Sequence, residues 1–314
     1  MATAPISRGP FGKGGAVIAG KDITFGGIEA GGTKFVLAIG SPSGTIVERH
    51  EIATRGPEDA LREALDWFRG QEGRHGPAAA LGIGSFGPVD CDPRSPGWGR
   101  ITTTPKPGWA DCDIAGYFAD RLGCPVGFDT DVNAAALAEW HARRDRPPHG
   151  LAYVTVGTGI GGGIVAGGDA IGKPAHPEIG HIRVARHADD RAFAGSCPFH
   201  GDCLEGLASG PAIRARWGLP LGELPADGPA KTVVAHYLAQ LCHVLFSTAV
   251  ADLVLMGGGV MKTPGLLDLV RTGMADIDRG YLPQGIDRRI ERPLLGDDAG
   301  IAGALILAGR ALDD

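Results

Sequence analysis

The chain has no long apolar run, no basic tract and no disulfide pattern, and each absence excludes a class of function. No stretch of its 314 residues approaches the roughly 18 consecutive apolar residues of a membrane span. The segment "MATAPISRGPFGKGGAVIAGKD" lacks the hydrophobic region of a cleavable leader, so a cytoplasmic location with no membrane partner is the expectation. With a formal charge of −6 and no cluster of Lys and Arg, there is no electrostatic footprint for nucleic acid, and small molecules are the expected partners. The cysteines number six, and Cys91, Cys112, Cys124 and Cys242 are scattered, which is not a disulfide framework.

What the chain has in excess is glycine. Its 52 glycines gather at the ends of apolar segments, where a backbone must turn tightly or approach a ligand. Residues 1–21, rich in Gly and small residues, read as a flexible extension. "ITFGGIEAGGTKFVLAIG" then reads as strand, glycine turn, strand. A helix follows in "GPEDALREALDWFRG", with Pro57 in its first turn and Gly70 expected to close it. The strand "ALGIGS", a helix around "DIAGYFADRLG", the strand "CPVGFD" and the helix "VNAAALAEWHARR" complete a first block. "LAYVTVGTGIGGGIVAGG" repeats the strand–turn–strand pattern and opens a second block, with a long helix near 229–250, the strand "ADLVLMGGG" and the helix "GIAGALILAGRAL". Two such blocks predict a duplicated α/β architecture of two lobes with a cleft between them.

Three features carry chemistry. The segment "HIRVARHADDRAFAGSCPFHGDC" offers His181, Cys197, His200 and Cys203 on an irregular loop, four N/S ligands as a structural zinc requires. The competing readings are a buried thiol pair with unrelated histidines, or a redox pair, which would want C-x-x-C rather than C-x-x-H-x-x-C. Glu178 and Glu205 flank this loop, and two carboxylates held rigidly are suited to accept hydrogen bonds from sugar hydroxyls.

The two glycine turns present backbone N–H groups with Thr33 and Thr158, a cradle for phosphates. "GTGIGG" matches G-x-G-x-x-G, but a strand rather than a helix follows, which argues against a dinucleotide fold. "AGGTK" lacks Walker spacing. In "GFDTDVN", Asp129 and Asp131 sit where a strand hands over to a helix. Asp131, at the positive helix end, is the candidate base for phosphoryl transfer to an alcohol, with a plain helix cap as the alternative.

From Ile23 to Leu312 these segments together resemble the ROK family (repressors, open reading frames and kinases), sugar kinases of the ribonuclease-H-like, actin-type ATPase superfamily. The matching segments are "GIEAGGTK", "TVGTGIGGG", "TDVNAAA", "EIGH" and "MGGGV", while "GSFGPVD", "TTPKPGW" and "CPFHGDCLEGLASGPA" resemble the family's bacterial fructokinases. The resemblance implies the duplicated two-lobed fold, with residues 22–132 as the small lobe, completed by helix 298–314. Residues 133–297 would be the large lobe, carrying the zinc loop 181–203. It implies ATP and Mg²⁺ as cofactors beside structural Zn²⁺, and a homodimer. It makes Asp131 the general base, and Glu178, His181, Glu205 and Thr130 sugar contacts, with His181 binding zinc through its other ring nitrogen. Gly31, Gly32, Thr33 and Lys34, with Thr158 and Gly159, would contact the ATP phosphates, and Gly257, Gly258 and Gly259 would line the adenosine pocket.

The chain departs from many ROK glucokinases at Glu29, where they have Asp, at Thr130, where they have Asn, and in replacing C-x-C-G-x-x-G-C by C-P-x-H-G-x-C. These departures point away from a glucokinase or an N-acetylhexosamine kinase, and the resemblance to the fructokinases implies ATP-dependent phosphorylation of D-fructose to fructose 6-phosphate. Kinases for mannose, glucose, allose or N-acetylmannosamine, a catalytically silent sugar sensor and a nicotinamide-dependent oxidoreductase are the alternatives. The family's repressors carry a helix-turn-helix domain before the kinase-like fold, which the 21-residue extension is not expected to hold.

Overall fold

The computed structural model describes residues 23–225 and 227–313; the expected flexible extension, residues 1–21, lies outside the described residues. The first half contains β1 (Phe25–Ala30), β2 (Lys34–Gly40), β3 (Ile46–Ala53), α1 (Pro57–His75), β4 (Ala80–Ser85), α2 (Ile114–Leu122) and β5 (Val126–Thr130). Their sheet has the order β3-β2-β1-β4-β5, with β1 antiparallel to β2 and parallel to β4. Helix α1 runs past Gly70 to His75, contrary to the expected stop. An exposed helical glycine costs only about 1 kcal/mol relative to alanine, too little to break a helix anchored by Leu61, Leu65 and Phe68.

The second half contains α3 (Asp131–His141), β6 (Gly150–Val156), β7 (Ile160–Ala166), β8 (Asp169–Ala170), α4 (Leu204–Ala208), α5 (Gly210–Trp217) and α6 (Ala230–Ser247). It ends with β9 (Leu253–Gly257), α7 (Leu266–Asp278), β10 (Arg289–Glu291) and α8 (Ala299–Asp313). Its sheet has the order β10-β9-β6-β7-β8. With β6 to β10 written in place of β1 to β5, this is the order of the first sheet, and the directions agree as well: β6 is antiparallel to β7 and parallel to β9. The duplication expected from two glycine hairpins is present strand by strand.

Two helices cross between the halves. Helix α3 leaves the first sheet at β5 and packs on β6 and β7, while α8 follows β10 and packs on β1, β4 and β5. The two helices also pack on each other, with Ala138, Ala302 and Ile306 forming a buried cluster. On this packing we propose the expected lobe boundaries, at 132/133 and 297/298. Among the described residues no helix is long and apolar enough to cross a membrane.

Candidate active site

The ends of β1 and β5 bring carboxylates to one place. Thr130 closes β5 and caps α3, its Oγ1 accepting from the Asn133 backbone N–H at 3.0 Å. Asp129 is fully buried and committed: its Oδ1 accepts from Thr130 N at 2.8 Å and Asn133 Nδ2 at 2.6 Å, and Lys173 Nζ lies 3.3 Å from Oδ2. Asp131, at the first position of α3, accepts only locally, from Val132 N at 2.9 Å. Of the two aspartates, Asp131 is the one left free for chemistry.

Burial pushes the Asp131 carboxyl up to about 7, and the Glu178 charge pushes the same way. Desolvation outweighs the backbone hydrogen bonds from Val132 and from Asp131 itself, which pull the other way. Glu29, at the end of β1, is also pushed to about 7, by burial first and by the Asp131 charge second. Two carboxyls near neutrality beside a third are arranged to hold a proton or a divalent cation.

Glu178 precedes a short 3₁₀ turn, Ile179–His181, and stays half exposed. Its Oε2 stands 3.9 Å from Nε2 of His181. Glu205, in the first turn of α4, has one oxygen occupied, since Oε2 accepts from Ile160 N at 2.9 Å. That bond fastens it to the second glycine turn.

His181, Cys197, His200 and Cys203 have ligand atoms all within 4.8 Å of one another. The Nδ1 of His181 lies 3.3 Å from His200 Nδ1, 3.5 Å from Cys203 Sγ and 3.8 Å from Cys197 Sγ. With Zn–N near 2.0–2.1 Å and Zn–S near 2.3 Å, a tetrahedron has edges of about 3.3–3.8 Å, so the three distances from His181 match the edges of a site for one such ion. Nδ1 of His181 faces the cluster and leaves Nε2 turned to Glu178. Burial raises the Cys203 thiol to about 11, so a thiolate there needs a cation beside it.

The first glycine turn is closed by Gly31 N–H donating to Lys34 O at 3.0 Å and by the Thr54 hydroxyl donating to Gly31 O at 2.7 Å. Gly32, Thr33 and Lys34 are exposed, Lys34 Nζ lies 2.6 Å from Glu51 Oε1, and Lys106 donates to the Gly32 carbonyl. In the second turn Gly157 N–H donates to Gly159 O at 2.8 Å. Gly157, Thr158 and Gly259 line one cavity of about 630 Å³, together with Arg214, Leu221, Glu223 and Lys262. Gly257 ends β9, and Gly258 has φ +88° with a would-be Cβ 2.5 Å from Val156 O, so no other residue brings β9 this close to β6. Arg214, Glu223 and Lys262 escaped the sequence reading because they belong to separate segments with no shared spacing. Lys106 was within reach of it, as the cation in "TTPKPGW".

The family model described as the ROK family matches residues 25–311. The chain is 44% identical over 289 residues to a fructokinase of Zymomonas mobilis, covering 90% of this chain and 96% of that one. It is 38% identical over 278 residues to a fructokinase of Lactococcus lactis, covering 88% and 93%. Among solved structures, the ROK hexokinase from Thermus thermophilus superposes with a TM-score of 0.75 at 27% identity, covering 93% of this chain and 99% of that one. A ROK family glucokinase from Streptomyces griseus, in complex with glucose and AMPPNP, gives 0.68 at 26% identity, covering 91% and 99%.

Proposed function

The chain belongs to the ROK family, and from that premise we propose that it is an ATP-dependent fructokinase that converts D-fructose to fructose 6-phosphate. Fructose is the sugar because fructokinases of several bacteria match nearly the full chain at 38–44% identity. The observation that carries the kinase reading is Asp131: free of capping duty, near neutrality, and flanked by Glu29 before one phosphate turn and Glu178 on the sugar side.

The geometry supports the following roles. Gly32 and Thr33, with Thr158 and Gly159, present amides and hydroxyls to the phosphates of ATP, Gly31 closes the first turn through its own N–H, and Lys34 adds positive charge there. The adenosine occupies the cavity lined by Gly259, and of the three expected glycines Gly257 and Gly258 lie outside its lining. Glu178, Glu205 through its remaining oxygen, and His181 through Nε2 hold the sugar hydroxyls. Thr130 serves the site by fixing the turn that presents Asp131. Asp131 accepts the proton of the attacking hydroxyl, and a carboxylate close to neutral pH is matched to that task.

Magnesium on ATP supplies charge neutralisation at the phosphates, and Glu29 is the residue assigned to hold it. Zinc, on His181, Cys197, His200 and Cys203, fixes the loop that carries the sugar contacts.

The test is ADP release with MgATP against fructose, glucose, mannose, allose and N-acetylmannosamine, compared as kcat/KM. Fructose is expected to lead. A lead by another hexose would move the substrate and leave the chemistry in place, and silence with all five would reject the kinase.

A further inference from the structure

After β8 the chain crosses from the second lobe to the first. Lys173 reaches Asp129 on β5, and three residues later the His176 ring reaches the loop after β4. His176 is tightly placed, with its side chain only 10% exposed. Its Nε2 accepts the backbone N–H of Val89 at 3.2 Å. A nitrogen that accepts carries no proton, so the ring is the neutral tautomer with its proton on Nδ1. That Nδ1 stands 3.2 Å from Oε1 of Glu178. One imidazole therefore presents an acceptor to the first lobe and a donor to a carboxylate of the second.

We propose that His176 is a positioning residue that holds Glu178 in its sugar-binding orientation by referring it to the backbone of Val89 in the opposite lobe. The proposal rests on the reading of Glu178 as a sugar contact. Glu178 is otherwise half exposed, and a carboxylate on a loop samples several rotamers unless a neighbour selects one. His176 selects it, and the choice depends on the lobes being together. The sugar site is complete only where the segment 172–178 is docked on the loop that carries Gly87 and Val89. Sugar affinity and lobe closure are thereby coupled through a single ring.

The experiment separates the two halves of the contact. In His176→Asn the amide nitrogen takes the place of Nδ1 and keeps the donor to Glu178 while losing the acceptor for Val89. In His176→Gln the amide oxygen takes the place of Nε2 and does the reverse. Steady-state kinetics on these variants, on His176→Ala and on Glu178→Gln give KM for fructose and for ATP separately, with thermal melting as the check on folding. His176→Ala is expected to raise KM for fructose about tenfold or more, the worth of a hydrogen bond to a charged group, with KM for ATP unchanged. His176→Asn is expected to recover more of the fructose KM than His176→Gln, and His176→Ala is expected to add little on top of Glu178→Gln.

If Glu178→Gln raises KM for fructose while all three His176 variants leave it alone, the positioning role is wrong and the sugar reading stands. If Glu178→Gln itself leaves KM for fructose unchanged, the sugar reading fails and takes the positioning role with it. Equal rises in both KM values, tracking a lower melting temperature, would reduce His176 to a packing residue.

Discussion

The hydroxyl of Thr130 accepts the backbone N–H of Asn133 at 3.0 Å, and this bond releases Asp131 from capping α3. The two neighbours therefore respond differently to mutation. Asp131→Asn is expected to keep the melting temperature and fructose binding while kcat falls by about 10²–10⁴, the range of a general base. Thr130→Ala is expected to cost about 1 kcal/mol of stability through the lost cap and to stay active. Kinetics and melting of the pair check this, and an Asp131→Asn enzyme with more than about a tenth of normal turnover would remove the base assignment.

Activity is expected to fall as pH drops through about 7, because the base must be ionised and burial has raised it to that value. Glu29 shares the raised range through burial first and the Asp131 charge second, so Glu29→Gln is expected to remove that mutual repulsion and move the acid limb of kcat/KM to lower pH. Stability runs the other way. Between ordinary carboxyl values and about 7 the folded chain holds protons that the unfolded chain has lost, so ligand-free stability falls as pH rises through that window and levels off above it. Melting curves from pH 5 to 8 without nucleotide or Mg²⁺ test the sign.

Gly300, in the first turn of α8, has a would-be Cβ 2.4 Å from Cδ of Glu29. Gly300→Ala is expected to favour the helix by up to about 1 kcal/mol while displacing the Glu29 carboxyl. The expected result is unchanged or higher thermal stability with kcat lower by about 10–100-fold, since small misplacements at a reacting centre carry that penalty. A Gly300→Ala enzyme with full activity would show that the carboxyl position is unimportant.

Chelation is expected to remove one zinc per chain, with lower activity and a lower melting temperature, and elemental analysis before and after checks the stoichiometry. The Cys and His cluster is not the only anchor of its loop. Asp190, inside it, is buried against Arg216 Nε at 3.0 Å and accepts from the Tyr237 hydroxyl at 2.6 Å. The Arg216 guanidinium is in turn stacked between Phe193 and Trp217. Asp190→Ala leaves a buried guanidinium unpaired and is expected to destabilise by about 3–5 kcal/mol even with metal present. Equal effects of chelation and of Asp190→Ala on the whole fold would show that the loop has a single anchor.

Much of this molecule was legible in the chain. The strands rich in apolar and small residues, β1, β2, β4, β6 and β9, and the helices with a marked face or a small-residue surface could be read because burial selects such residues. Repetition of a glycine hairpin was enough to predict duplication. Besides the short helices α4 and α5 that follow the Cys/His loop, the elements that went unread are those where burial asks little of the sequence. β3, "IVERHEIA", is an edge strand with most of its side chains exposed, while β8 and β10 have two and three residues. The amphipathic face of α7 lay in a stretch without a motif to draw attention to it.

The sequence by itself determined the glycine turns, the four Cys and His donors and the aspartate pair, because each is a local pattern whose spacing the chemistry constrains. Only the tertiary structure decided which aspartate is free, since that depends on Asn133 and Lys173 occupying Asp129. It also decided the sign of the shift at Asp131, because desolvation comes from atoms packed around a carboxyl and not from its neighbours in the chain. And it alone placed Val89 against His176, residues whose encounter rests on the closure of two lobes that no local spacing records.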